Sequence, residues 1–372
     1  MINDLCRLTG CDFPLFAFSH CRDVVAAVTR AGGFGVLGGS SFTPEALEEE
    51  LSWIDAHVDG KPYGIDILIP EHMAAGRDTK VRDLVSRIPQ GHIDFIIDLL
   101  ARHDVRIAPG DVVNARANIL PEIGEALMDV AFRHPIRLIA NALGIAPSSM
   151  IDRARAHGVP VAALVGAKEH ALRQVAAGVD IIVAQGGEAG GHCGDVSTMV
   201  LVPEVIRAIA DTPVPVLAAG GIMTGDQMAA AMTMGAQGAW TGSVWLATTE
   251  AETSESVRVR MVEARSRDTV RSAARTGKPS RQLRSAWHDA WEAPGAPPVL
   301  PMPLMAMLAY KPLQAVERAA DAGNEKAREL VTYFVGQGVG LVDQVRSAGS
   351  VVQQFKEEFA DAVSNLMEAI EA

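Results

Sequence analysis

The residues best equipped for chemistry stand together in Gln185-Gly186-Gly187-Glu188-Ala189-Gly190-Gly191-His192-Cys193-Gly194-Asp195. Five glycines fall within nine residues there, with one histidine among them. Glycine lets a backbone approach a ligand closely, and ordering so many costs entropy. An imidazole titrates near neutrality and can take or give a proton at working pH. The stretch therefore reads as a ligand loop holding His192 for catalysis or substrate contact. A plain loop hydrogen bond is the alternative for any lone histidine. Glu188 and Asp195 read as loop-structural or solvent-facing. Cys193 has only His192 as a basic neighbour, and adjacent side chains point apart, so a nucleophilic role is disfavoured.

Two later turns share the glycine signature: Ala218-Ala219-Gly220-Gly221-Ile222 and Thr241-Gly242-Ser243. Neither holds Lys or Arg. Backbone N–H groups of Gly220, Gly221, Gly242 and Ser243 would then form a neutral cradle for a monoester phosphate. Asp66 interrupts the apolar run Ile65-Asp66-Ile67, where a charge is costly unless paired or bound. It would accept a hydrogen bond from a ring N–H of a cofactor. Asn141 and Gln185 are similar polar interruptions, and a buried structural hydrogen bond is the alternative reading for each of the three. The ten histidines show no metal-ligand spacing, and no GxGxxG follows the first strand.

These residues need elements to position them. Short apolar runs recur near residues 14, 35, 65, 139, 163, 182, 217 and 240, most of them joined by helical patterns. Continuously apolar strands alternating with helices imply a parallel sheet covered on both faces. The expected fold is α/β, a (β/α)8 TIM barrel with a helical insertion and a helical C-terminal extension. A doubly wound open sheet is the alternative. The expected domains are a barrel over 1–249 and an extension over 250–372 that includes the glycine loop 336–340. The insertion spans about 70–135, with helices at Val81–Arg87, His92–Arg102 and Ala115–Phe132. Residues 250–285 read as charged helix, with Arg271, Arg275, Lys278, Arg281 and Arg284 on a solvated face. A barrel places its ligand at the C-terminal ends of the strands, where all three glycine turns fall.

The chain has 372 residues, 48% hydrophobic, with a formal net charge of -12. An acidic surface argues against nucleic acid and anionic membranes as partners. Four cysteines match no zinc pattern and suit a reducing compartment. No run approaches the roughly 18 apolar residues of a membrane span, and no leader pattern is evident. A cytoplasmic protein is expected; a homodimer is left open.

Taken together, Gln185–Asp195, Pro215–Ile222 and Gly235–Ser243 resemble the nitronate monooxygenase family, formerly called 2-nitropropane dioxygenase. The motifs are shared with FMN-dependent enoyl-acyl-carrier-protein reductases. The resemblance covers about residues 10–250, and again Gly336-Gln337 with Gly340-Leu341. It implies an FMN-bound (β/α)8 barrel acting on a small molecule, an alkyl nitronate, with O2. His192 would be the active-site base. Ala17, Phe18, Asp66, Gln185, Gly190, Gly191, Ala219, Gly220, Gly221, Gly242, Ser243 and Gln337 would contact the flavin. Two departures stand out. Asp66 occupies a position where the family commonly has asparagine. The first strand reads Pro14-Leu15-Phe16-Ala17-Phe18-Ser19-His20, where the family usually shows a proline, two aliphatics and a Gln or Ala-Pro-Met run. An NAD(P)H-dependent FMN reductase of an enoyl thioester or quinone is the alternative activity, and a flavin-binding scaffold without catalysis a third reading.

Overall fold

The computed structural model describes residues 3–69, 81–114, 121–142 and 144–371. Eight parallel strands close into a barrel in sequence order. They are β1 (Leu15–Ser19), β2 (Phe34–Gly38), β3 (Gly64–Asp66), β4 (Ile139–Asn141), β5 (Val161–Val165), β6 (Ile181–Gln185), β7 (Val216–Ala219) and β8 (Gly238–Thr241). The last strand pairs with the first through Leu15↔Ala239 and Ala17↔Thr241. The open-sheet alternative is thereby excluded. Short N-terminal helix α1 (Asp4–Thr9) contributes Leu5 and Cys6 to the same apolar cluster as the barrel interior.

Side chains alternate across each strand. Phe16, Phe34, Val36, Leu138, Ala162, Val183, Leu217 and Trp240 fill the interior. Leu15, Ala17, Ile65, Ile139, Ala163 and Ala218 face the surrounding helices instead. Those helices are α2 (Arg22–Arg30) and α3 (Pro44–His57), then α4 (Val81–Val85), α5 (Gln90–Arg102) and α6 (Pro121–Ala131). They continue with α7 (Ser148–His157), α8 (Lys168–Ala177), α9 (Thr198–Ala208) and α10 (Gly225–Thr233). Thr43 caps α3 by accepting from the Ala46 N–H, and Pro44 stands at its first position.

The insertion divides its work. α6 packs on the barrel through Leu127, Met128 and Ala131, as the helix that returns the chain to β4. α4 and α5 turn away from the barrel: Leu84, Ile96, Leu99 and Leu100 join a second core with residues of the C-terminal segment. Residues 70–80 and 115–120, which include the start of the expected 115–132 helix, lie outside the described residues.

The segment after Thr249 departs from the helical expectation for 250–285. α11 (Glu255–Glu263) is followed by an antiparallel hairpin, β9 (Thr269–Ser272) and β10 (Ser280–Leu283). The turn between them carries Gly277 at φ 86°. Such a backbone favours glycine and ends a helix, which is the local reason the charged run folds as a hairpin. α12 (Ala286–Glu292), α13 (Leu304–Asp321) and α14 (Glu325–Leu330) complete the second core around Trp287, Met305, Leu308 and Leu313. α15 (Ala348–Glu371) then returns to the barrel. Its Phe355 is 1% exposed and stacks on Trp245, whose indole N–H donates to the Thr241 hydroxyl at 2.9 Å. Glu358 accepts from the Gly225 N–H at 2.8 Å, capping α10 from outside. The barrel's last strand is thus buttressed by the chain's last helix.

Truncating Phe355 to Ala removes a fully buried ring from that contact. The expected cost is about 3–5 kcal/mol, read as a lower urea midpoint with an unchanged slope.

Candidate active site

The barrel mouth is built from strand ends, and the inward parity decides which side chains enter it. Phe16 stacks on Trp240 at 6.2 Å between ring centroids, and Phe18 lies 6.4 Å from the same indole. These rings form an apolar floor. Asp66 shares the inward side with Gly64, whose missing Cβ would meet Phe34 and Leu138 in the interior. Gln185 shares that side with Val183. Ala17 does not: its side chain joins the outer cluster, so only its backbone borders the mouth.

Asp66 is 5% exposed, and its Oδ1 has no hydrogen-bond partner. Burial without a counter-charge pushes its carboxyl up to about 7. Asn141, at the end of β4, is fully buried and accepts from the Ile69 N–H at 3.2 Å, a structural role. His20 follows the end of β1. Its Nδ1 lies 3.1 Å from the Gly38 carbonyl oxygen, and its ring meets Phe18 edge-on at 5.1 Å. Water reaches this ring, yet the crowding walls lower its pKa through desolvation.

The loop after β6 is fastened from three sides. Glu188 accepts from the N–H and the hydroxyl of Thr198 at 2.8 and 2.9 Å, which ties the loop to the start of α9. Gly190 lies against the backbone of Val335 and Gly336, 2.8 Å from where its Cβ would stand, so no larger residue fits. The Gln337 N–H donates to the Glu188 carbonyl at 2.8 Å. Gly191 forms an antiparallel bridge with Arg281 of the hairpin, exchanging N–H···O bonds of 3.0 and 2.8 Å. Arg281 Nε also donates to the Gly187 carbonyl at 2.9 Å, and Arg271 donates to the Cys193 carbonyl at 3.1 Å and pairs with Asp195.

His192 emerges from this frame as an exposed ring with Nδ1 3.2 Å from the Pro279 carbonyl oxygen. A carbonyl only accepts, so Nδ1 carries the proton and Nε2 a lone pair. Partial desolvation and nearby Lys278 lower its pKa, keeping the ring neutral at pH 7. Phe334 lies 6.5 Å away. Cys193 is pushed up by burial and is no thiolate.

The loops after β7 and β8 close the ring. Ala219 ends β7, and its carbonyl accepts from Gly186 at 2.9 Å. Gly220 follows with φ 104°, a conformation that L side chains rarely adopt. The N–H groups of Gly221, Ile222 and Gly242 have no hydrogen-bond partner among the described residues. Ser243 accepts from the Gly336 N–H at 2.8 Å, which leaves its own O–H free to donate.

The mouth therefore unites the glycine loop and the strand-end residues that the sequence suggests. It also recruits Arg271, Pro279 and Arg281, which do not lie on the solvated helical face expected for this basic run. Arg275 is enclosed as well, its guanidinium 4.2 Å over the Phe334 ring. The turn residues Thr276-Gly277-Lys278-Pro279 between Thr269–Ser272 and Ser280–Leu283 are the hairpin signal that could have found them.

A (β/α)8 barrel with an imidazole, an unpartnered carboxyl and unspent backbone N–H groups at its mouth defines an enzyme of the ligand-at-the-strand-ends class. The chain belongs to the nitronate monooxygenase family, whose model matches residues 18–358, and is thus an oxidoreductase. It is 52% identical over 365 residues to Rv1533 of Mycobacterium tuberculosis, provisionally named a monooxygenase, covering 97% of each chain. It is 27% identical over 290 residues to a Staphylococcus saprophyticus protein provisionally named a nitronate monooxygenase, covering 72% and 74%. Among solved structures, nitroalkane oxidase from Streptomyces ansochromogenes superposes with a TM-score of 0.80 at 25% identity, covering 98% of this chain and 100% of that one. Among the described residues no helix is long and apolar enough to cross a membrane.

Asp66 gives a signed pH prediction. Its folded carboxyl holds a proton up to about 7, whereas the unfolded one releases it near 3.8. Between those values the folded state binds the extra proton, so stability falls as pH rises, by roughly 4 kcal/mol in full. Asp66→Asn should therefore gain several kcal/mol over the natural chain at pH 8 and little at pH 4, by urea titration. Arg281→Ala should lower turnover about tenfold or more through a misplaced His192, with a melting temperature only a few degrees lower, by steady-state kinetics and calorimetry.

Proposed function

We propose that this chain is an FMN-dependent nitronate monooxygenase, converting nitroalkanes or their nitronates with O2 to carbonyl compounds and nitrite. The observation that carries the reading is His192: a neutral imidazole at the mouth, with Nδ1–H committed to Pro279 and Nε2 unengaged. The residues present fit the flavin. Unspent N–H groups of Gly221, Ile222 and Gly242, with the free donor of Ser243, suit its phosphate. The orphaned Asp66 Oδ1 suits a polar edge of its ring system, and Phe18 and Trp240 offer an apolar bed. Ala17 offers backbone, Gln185 an amide, and Gln337 closes over the loop of Gly190 and Gly191. FMN, when bound, supplies the electron acceptor that links substrate oxidation to O2.

The chain's own contribution is proton handling and placement. Toward a neutral nitroalkane, His192 Nε2 accepts the Cα proton and leaves the nitronate. The imidazolium so formed then donates Nε2–H to a nitronate oxygen, a charge-assisted bond. The Pro279 carbonyl holds the ring in one tautomer throughout and stabilises the charged form. Two nitronates and one O2 balance against two carbonyl compounds and two nitrites.

Anaerobic addition of propyl-2-nitronate to the flavin-loaded protein should bleach the flavin, and admitting air should restore it. Bleaching by NADPH but not by nitronate would overturn the reading in favour of a reductase. His192→Asn should lower kcat/KM for the neutral nitroalkane by about 10²–10⁴, and much less for the preformed nitronate. In the natural chain that kcat/KM should fall on the acid side, with its inflection below the usual histidine value.

A further inference from the structure

We propose that His20 is a second substrate-contacting residue, accepting through Nε2 a hydrogen bond from an O–H or N–H group that the substrate carries on the side remote from His192. This rests on the nitronate reading and narrows its substrate class to nitro compounds bearing a donor, in preference to plain alkyl ones.

Three observations converge. The first is placement. The His20 ring lies over Gly38 at the end of β2, where a Cβ on Gly38 would come 2.5 Å from it. The ring leans from the end of β1 onto β2, which stands four places from β6 in a closed ring of eight, so it lies across the mouth from the root of the His192 loop. The second is the tautomer. His20 Nδ1 is 3.1 Å from the Gly38 carbonyl oxygen and must donate to it, which leaves the Nε2 lone pair. Nε2 has no partner among the described residues, and desolvation disfavours protonating it. The third is the company it keeps. Asp66, the register partner of Gly38, presents its unpartnered Oδ1 from the same wall. Apolar Phe18 and Trp240 floor the space beside it. On this wall His20 Nε2 is an acceptor without a protein donor in place among the described residues. An alkyl tail would bury an acceptor unpaired, whereas a hydroxyl would satisfy it.

The test uses an isosteric pair, 2-nitroethanol and 1-nitropropane as nitronates, which differ by O–H against CH3. The flavin-loaded natural chain should favour the hydroxyl compound in kcat/KM by about five- to tenfold, the size of one neutral hydrogen bond. His20→Leu should bring the ratio to near one, while His20→Gln, which keeps an acceptor at similar reach, should retain part of it. A ratio near one in the natural chain, or one unchanged in His20→Leu, overturns the proposal. So does a loss of FMN affinity in His20→Leu with the ratio intact, which would assign the ring to the cofactor. If neither nitronate turns over, the nitronate reading fails, and His20 is judged by calorimetric binding of glycolate against propanoate, planar analogues with the same O–H for CH3 exchange. Preference for glycolate that His20→Leu abolishes then upholds the contact, and equal binding overturns it.

Discussion

The site depends on a contact between two backbones. Gly190 and Gly336 lie so close that a Cβ on either would collide with the other loop's main chain. Around that contact run the Gln337–Glu188 and Gly191–Arg281 hydrogen bonds. Main chains meet this closely only where side chains are missing, and the hydrogen bonds then satisfy groups that burial would otherwise strand. The consequence is directional. The loop bearing His192 leaves the barrel from β6, but its conformation is set by residues about 90 to 145 positions later in the chain. Barrel and C-terminal segment must both be folded before the imidazole acquires its Pro279 partner.

The same logic explains why the extension has a core of its own. A hairpin that holds the His192 loop must itself be held. β10 is anchored by buried Ser280, Gln282 and Leu283, and Trp287 donates to the Ala274 carbonyl at 3.0 Å. Insertion helices α4 and α5 add apolar surface to that body. α15 then fastens the far end of the segment to the barrel wall through Phe355 and Glu358. Rigid scaffolding on both sides suits the proton-handling role proposed for His192, which depends on geometry of a few tenths of an ångström. Against this rigidity, the mouth keeps polar groups unspent: Asp66 Oδ1, His20 Nε2, His192 Nε2 and the N–H groups of Gly221 and Gly242. Protein interiors rarely leave such groups unpaired, and their gathering at one end of the barrel marks where a ligand completes the structure.

The eight strands were legible because each is a short apolar run bounded by turn residues, and the barrel because those runs alternate with helices. The glycine loops were legible through composition, since no ordinary connector needs so many. Asp66 was legible as a charge inside an apolar strand. The hairpin was hidden by its charges: Arg271 and Arg281 suggest solvent until their carbonyl partners, on Cys193 and Gly187 respectively, are seen. In the sequence His20 is only the end of the first apolar strand, because its meaning comes from Gly38, on another strand.

The sequence by itself determined the barrel, the strand ends and the inventory of groups that could sit there, because periodicity, glycine and buried charge act locally. Tertiary structure alone decided which of those groups are spent and which are free. Ser243 and Asn141 are engaged by distant backbone, and the Glu188 carboxylate by the N–H and hydroxyl of Thr198. His192 owes its tautomer to Pro279 and His20 owes its own to Gly38. The physical reason is that a hydrogen bond is settled by whatever donor or acceptor comes within about 3 Å. In this chain those partners are brought together by barrel closure and by the return of the C-terminal segment.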